Sequence, residues 1–277
     1  MGKEMIDAHV HVWTDDRRRY PRAPGSRDYA PERFTPEDLL RWSRASGVTR
    51  AVLIQPSVYG TDHTYLMDSM RANPGVFSAV GVVDSNQQNV GRAMKQLVSQ
   101  GVRGFRIVPG NSPRTWLNTA GMAAMWRLAA ELRVSLCPLI DPDALAGLER
   151  MCDRFPETPV AVDHLARIGA DGYIRETDAG PLCELARRRG VRVKVSAFYA
   201  LGRKQPPYTD LASLIRRVFE AYGPQRLMWG SDCPFQVQAP HTYAASIGLI
   251  RERLTFLTAD DREWLLSKTA ERVFFAS

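Results

Sequence analysis

Eight short β-branched runs recur along the 277 residues, each followed by a helical pattern or a polar loop. They fall at 5–12, 51–55, 78–83, 102–108, 134–140, 160–164, 191–197 and 226–231. Such alternation is the sequence sign of a parallel sheet, because parallel neighbours need a long crossover that a helix supplies. The intervening helices announce themselves by their ends. Thr35-Pro36-Glu37-Asp38 opens one that stops near Gly47, and 89–100 runs up to Gly101. Others are expected at 64–73, 120–132, 142–155, 181–189, 211–222 and 243–254. Right-handed crossovers between neighbouring strands bring such a sheet back on itself, so the expected fold is α/β, a closed (β/α)₈ TIM barrel spanning 1–277 as one domain. A doubly wound open sheet is the alternative. With 44% hydrophobic residues the chain can fill a core of that size.

Charge and cysteines narrow the function classes. The net charge of +7 comes from arginines scattered along the chain, as at 17–19, 187–189 and 216–217. No nucleic-acid motif accompanies them, so the bias is toward an anionic small-molecule substrate rather than nucleic acid. The four cysteines form no Cys-x-x-Cys pair, which argues against a disulfide framework or zinc ribbon and for a reducing, cytoplasmic setting. Met1 to Glu4 lead straight into the first strand. No apolar run reaches the length of a signal or membrane segment, so a soluble, unprocessed chain without membrane association is expected. Oligomeric state is not legible.

The chemistry concentrates at strand ends. In Asp7-Ala8-His9-Val10-His11, period-two alternation places Asp7, His9 and His11 on one side and Ile6, Ala8, Val10 and Val12 on the other. Two neighbouring imidazoles suit one ion or one polarised oxygen, although a His-x-His pair alone is equally often a surface or loop feature. The sixth strand ends in Asp163-His164, with His164 opposite Asp163, and the eighth ends in Asp232. His164 alone could be a core histidine and Asp232 a turn residue. Together with His9 and His11, at the carboxyl ends where barrel active sites lie, they are expected to converge. Loops after the strands carry further arginines and aromatics, among them Arg114, Trp116, Arg167, Tyr173, Tyr199, Arg203, Phe235 and His241.

These motifs, with Gln55-Pro56-Ser57-Val58-Tyr59-Gly60-Thr61-Asp62, Gly101-Val102-Arg103-Gly104-Phe105-Arg106, Val193-Lys194-Val195-Ser196, Gly230-Ser231-Asp232-Cys233-Pro234-Phe235 and Thr269-Ala270-Glu271-Arg272-Val273-Phe274, resemble the amidohydrolase superfamily. Within it they resemble the amidohydrolase-related branch that holds lactonases of the 2-pyrone-4,6-dicarboxylate type. The resemblance implies catalytic roles for His9, His11, His164 and Asp232. The chain departs from the superfamily pattern twice, since the fifth strand has no His and the fourth has Arg106 rather than a bridging Lys or Glu. A binuclear metal centre is therefore not expected. One divalent ion, zinc above all, could use His9, His11 and Asp232, with Cys137 as a further candidate. The lactonase branch instead implies hydrolysis that requires no cofactor. There Asp232 takes a proton from water while the imidazoles polarise the lactone carbonyl.

Substrate residues are expected at Arg106, a bidentate partner for a carboxylate or else a structural ion pair, and at Ser57 and Tyr59. Lys194 is expected in an internal ion pair with Asp7 or Asp163. The leading reading is a lactone hydrolase acting on a carboxylated substrate in catabolism. A metal-dependent amidohydrolase or decarboxylase, a sugar-acid lactonase and a non-catalytic binder on the same barrel are the alternatives.

Overall fold

The computed structural model describes residues 4–109 and 115–276, so Arg114 lies outside the described residues. Eight strands, β1 (Met5–Val10), β2 (Val48–Ile54), β3 (Phe77–Gly81), β4 (Val102–Ile107), β5 (Ser135–Pro138), β6 (Val160–Val162), β7 (Val191–Ser196) and β8 (Leu227–Gly230), pair in parallel and in chain order. A parallel bridge between Val10 and Cys233 brings β8 back to β1. Two backbone bonds reinforce that seam, Asp232 N–H to His9 C=O at 2.8 Å and His11 N–H to Cys233 C=O at 2.8 Å. The expected TIM barrel is thus the observed fold.

Between the strands lie α1 (Pro36–Ala45), α2 (Thr64–Ala72), α3 (Val90–Ser99), α4 (Ala120–Leu132), α5 (Leu145–Arg154), α6 (Glu176–Glu184) and α7 (Ala212–Tyr222), and α8 (Tyr243–Gly248) follows β8. The start of α1 is the one its sequence announces: the Thr35 hydroxyl accepts the Asp38 amide and the Asp38 carboxylate accepts the Thr35 amide. The sixth helix begins earlier than expected. Pro181 lies inside it rather than at its first turn, and the segment after Glu184 tightens over Leu185–Arg187.

Ile6, Ala8, Val52, Ile54, Val80, Cys137, Ala161 and Met228 form one apolar cluster inside the barrel. Ala270 and Phe274, from the C-terminal helical segment, join that cluster and close the barrel floor, and the Ser78 hydroxyl donates to the Phe274 carbonyl. Val10 and Val12 belong instead to the larger cluster beneath the helices.

That division exposes a bulge in β1. Asp7 pairs with Ala51 and Val10 with Leu53, so three steps along β1 match two along β2. Ile6 and Ala8 face inward by regular alternation, and the extra residue turns His9 inward as well, with His11 two places on. The expectation that Asp7 shares the side of His9 and His11 is therefore corrected. Asp7 accepts the Tyr243 hydroxyl from α8 at 2.8 Å and the Ser231 amide at 2.8 Å, in the layer outside the strands. β8 can lie against the bulge because residue 230 is glycine, where an added Cβ would stand 2.8 Å from the His9 Cβ.

Candidate active site

Three chain segments leave their strands in the left-handed backbone region and aim side chains into the barrel mouth. After β6, His164, Leu165, Ala166 and Arg167 all have φ near +54°, after β7 Ala197 has φ +57°, and after β8 Asp232 has φ +65°. Each non-glycine residue held there costs about 1–2 kcal/mol, and the burial of His164, Leu165 and Ala166 helps to offset it. The left-handed turn also changes the expected geometry of Asp163 and His164. Strict alternation sets them on opposite sides, whereas both reach the site.

The deepest layer is an ion network with no water-exposed member except the edge of Arg106. Lys194 Nζ lies 3.0 Å from Asp163 Oδ1, and both residues are fully buried. Arg106 donates from Nε at 3.1 Å and Nη2 at 3.0 Å to Asp163 Oδ2. This settles the Lys194 expectation in favour of Asp163 over Asp7. His9 lies between these charges. Its Nδ1 is 3.3 Å from Asp163 Oδ1 and 3.2 Å from Lys194 Nζ, and its Nε2 is 2.8 Å from Arg106 Nη2. A guanidinium can only donate, so His9 Nε2 accepts and Nδ1 carries the ring proton, directed at Asp163. Burial and then the neighbouring Lys194 hold the His9 imidazole well below its ordinary pKa, hence neutral. Asp163 is held well below the usual carboxylate range because Lys194, His9 and Arg106 outweigh the burial that would raise it.

Above this layer His11, His164 and Tyr199 surround Asp232. His11 Nδ1 donates to the Ile54 carbonyl at 2.9 Å, and its Nε2 is 3.3 Å from Asp232 Oδ1. Ser196 Oγ donates to the Lys194 carbonyl and accepts from His164 Nδ1 at 2.9 Å, leaving His164 Nε2 3.8 Å from Asp232 Oδ2. Burial lowers the His164 pKa to about 4, so that ring is neutral with its Nε2 lone pair turned inward. The Tyr199 hydroxyl donates to Asp232 Oδ2 at 2.7 Å. Burial works to raise the Asp232 carboxyl, but His164, His11 and His9 outweigh it and keep it ionised. Asp232 Oδ1 is buried and makes no hydrogen bond among the described residues. A buried carboxylate oxygen without a donor marks a place for a water or substrate proton.

These groups open into a cavity of about 510 Å³ lined by His11, Arg106, His164, Tyr199 and Asp232, with Ser57 on its wall. Ser57 shares a hydrogen bond with the Tyr29 hydroxyl. Tyr59 does not line the cavity. Its ring is buried and its hydroxyl accepts the Thr14 amide at 3.0 Å, which corrects the expectation that it reads substrate. Cys137 is also withdrawn from the ligand candidates: it packs in the apolar cluster of the barrel interior, and burial pushes its thiol up to about 12.

Two contributors escaped the sequence reading. Tyr199 stood out only as one loop aromatic among several. Gln55 opens the Gln-Pro-Ser motif, and its Nε2 donates to the Gly60 and Asp62 carbonyls at 3.1 and 2.7 Å. Those two acceptors fix the amide orientation and leave its buried Oε1, in a residue of the cavity wall, without a partner among the described residues.

His9, His11 and Asp232 form a cluster whose potential ligand atoms lie within 4.8 Å of one another. His11 Nε2 and the orphaned Asp232 Oδ1 have the character of ligands. His9 does not fit, because Arg106 already holds the lone pair that faces them.

The profile of the amidohydrolase family matches residues 6–276. A 4-sulfomuconolactone hydrolase of Rhizobium radiobacter is 28% identical over 84% of this chain and 76% of its own length. An L-fucono-1,5-lactonase of Burkholderia ambifaria is 26% identical over 85% and 82%. Among solved structures, one from Acinetobacter baumannii, described as a probable 2-pyrone-4,6-dicarboxylic acid hydrolase with citric acid bound, superposes with TM-score 0.83 at 23% identity over 99% of this chain and all of that one. An amidohydrolase from Burkholderia multivorans with bound zinc has TM-score 0.79 at 21% identity, over 98% and 99%. With this barrel, this strand-end constellation and a match along nearly its whole length, the chain belongs to the amidohydrolase family.

Proposed function

We propose that the chain is a hydrolase that opens a lactone, favours a substrate bearing a carboxylate and uses no metal ion. The observation that carries this reading is the buried Oδ1 of an ionised Asp232, without a hydrogen bond among the described residues, in a cavity that His11 and His164 also line. An acceptor placed so can take a proton from water as the water oxygen attacks the lactone carbonyl carbon. The Tyr199 hydroxyl holds the other oxygen, so the carboxylate presents Oδ1 to the water. Negative charge then grows on the carbonyl oxygen. Arg106 supplies a fixed positive charge at the cavity floor that favours this developing charge. When the ring C–O bond breaks, the proton taken by Asp232 passes to the leaving oxygen. Lactone and water thus become a hydroxy acid. Lactone-hydrolase names among the relatives support the same chemistry.

The carboxylate preference rests on Arg106. Its Nε and Nη2 are engaged, but Nη1 has no partner among the described residues and the side chain is 12% exposed on the cavity. A panel of carboxylated and neutral lactones tests the reading, with turnover of the acids expected to be higher. Arg106→Met should cost about 3–5 kcal/mol in kcat/KM for a carboxylated lactone and much less for its methyl ester. Equal losses on acid and ester would assign Arg106 to the ion network alone. Activity unchanged after exhaustive chelation is the expected result, and chelator-sensitive turnover would refute the metal-free step. A second reading, a hydroxylated sugar lactone, is favoured by the orphaned Gln55 Oε1, which needs a donor such as a substrate hydroxyl.

A further inference from the structure

We propose that the Arg106 guanidinium is a resident cation that excludes divalent metal from His9, and that its removal creates a zinc site from His9, His11 and Asp232. The inference rests on the metal-free reading above and explains it by a single contact.

Only one nitrogen of His9 can serve an ion placed between His11 and Asp232. Nδ1 is turned to the floor, between Lys194 at 3.2 Å and Asp163 at 3.3 Å. Nε2 is the atom on the Asp232 side, 3.6 Å from Oδ1. That nitrogen accepts from Arg106 Nη2 at 2.8 Å. A zinc–imidazole bond of about 2.0–2.1 Å uses the same lone pair, so ion and guanidinium compete for one electron pair and repel each other as cations. The guanidinium does not escape by losing a proton. Nor does it swing aside freely, since Nε and Nη2 are both anchored to Asp163 Oδ2, itself fully buried.

The other two ligand positions are ready. His11 is held through Nδ1 to the Ile54 carbonyl with Nε2 facing Asp232, whose Oδ1 makes no hydrogen bond among the described residues. The site therefore has a three-ligand zinc set with one ligand blocked from the fourth strand. Arg106 stands on β4 directly beside Cys137 of β5, the strand that brings no imidazole of its own.

Zinc binding measured by calorimetry and elemental analysis tests this apart from turnover. Wild-type protein should retain well under one zinc per chain. Arg106→Met should bind one, with affinity raised about a hundredfold or more, since partners of a ligand alone shift affinity by roughly 10–100-fold. Adding His9→Asn to Arg106→Met should reverse the gain. Arg106→Gln serves should the methionine variant fail to fold, because an amide still donates to Asp163. Stoichiometric zinc in the wild-type protein overturns the inference even if both variants misfold, and so does a folded Arg106 variant without the gain. Chelator-insensitive activity beside stoichiometric wild-type zinc would sink this inference while sparing the metal-free reading. Chelator-sensitive activity would sink that reading.

Discussion

The floor and the rim of the active site each hold a buried aspartate beside histidine, yet the two are in opposite states of completion. On the floor each oxygen of the buried Asp163 faces a cation, Lys194 Nζ at 3.0 Å from Oδ1 and Arg106 Nη2 at 3.0 Å from Oδ2, and only the edge of Arg106 is exposed. At the rim no lysine or arginine pairs with Asp232 among the described residues: Tyr199 donates to Oδ2, while Oδ1 has His11 Nε2 at 3.3 Å and makes no hydrogen bond. The difference separates roles that residue type alone does not. A closed charge network is rigid and sets the electrostatic background, whereas an unmet acceptor in a cavity is a place where a proton can arrive.

Breaking the floor should have the largest effect, and on stability. Asp163→Ala leaves Lys194 and the inner face of Arg106 buried without a counter-charge, which should lower unfolding free energy by about 3–5 kcal/mol. Urea denaturation measures it, and a change below about 1 kcal/mol would mean that water or a second carboxylate fills the gap.

At the rim the loss should be catalytic instead. Asp232→Asn keeps the shape but not the base, so kcat should fall on the order of a hundredfold or more with KM little changed. Retained kcat would place the base elsewhere, and a stability loss as large as that at the floor would erase the difference between floor and rim. Tyr199→Phe removes one hydrogen bond to a charged oxygen, worth about 1.5–3 kcal/mol. A kcat decrease of roughly tenfold or somewhat more is expected, with a flattened dependence on Asp232 chemistry in the double variant Tyr199→Phe/Asp232→Asn.

The smallest effect uses a histidine outside both layers as a control. His63 accepts the Val82 amide through Nε2 at 3.0 Å, and burial lowers its pKa below the ordinary 6.5. The unfolded chain therefore binds the proton first, so the stability this group contributes is full above about pH 6.5 and is lost as pH falls through and below that value. His63→Gln should reduce the slope of stability against pH between about 6 and 5 without abolishing it, because burial lowers His9 and His164 in the same direction. An unaltered slope would show that His63 takes up its proton equally in the folded and unfolded states.

Much of this molecule was written locally. The eight alternating runs, the Thr35 cap with its Asp38 partner, and the placement of His9, His11, His164 and Asp232 at strand ends follow from periodicity and capping chemistry, which act within a few residues. Tertiary structure decided the rest. Asp7 left the side of His9 because β1 bulges where Gly230 of β8 lies against it, and Asp163 joined His164 in the site because the turn after β6 is left-handed. Arg106 met His9 only when β4 and β1 were set into one barrel, and Lys194 chose Asp163 over Asp7 for the same reason. Period two predicts faces only while a strand is regular. A bulge, a left-handed residue or a charge partner 97 positions away is selected by the packing of distant segments, whose energies no local pattern contains.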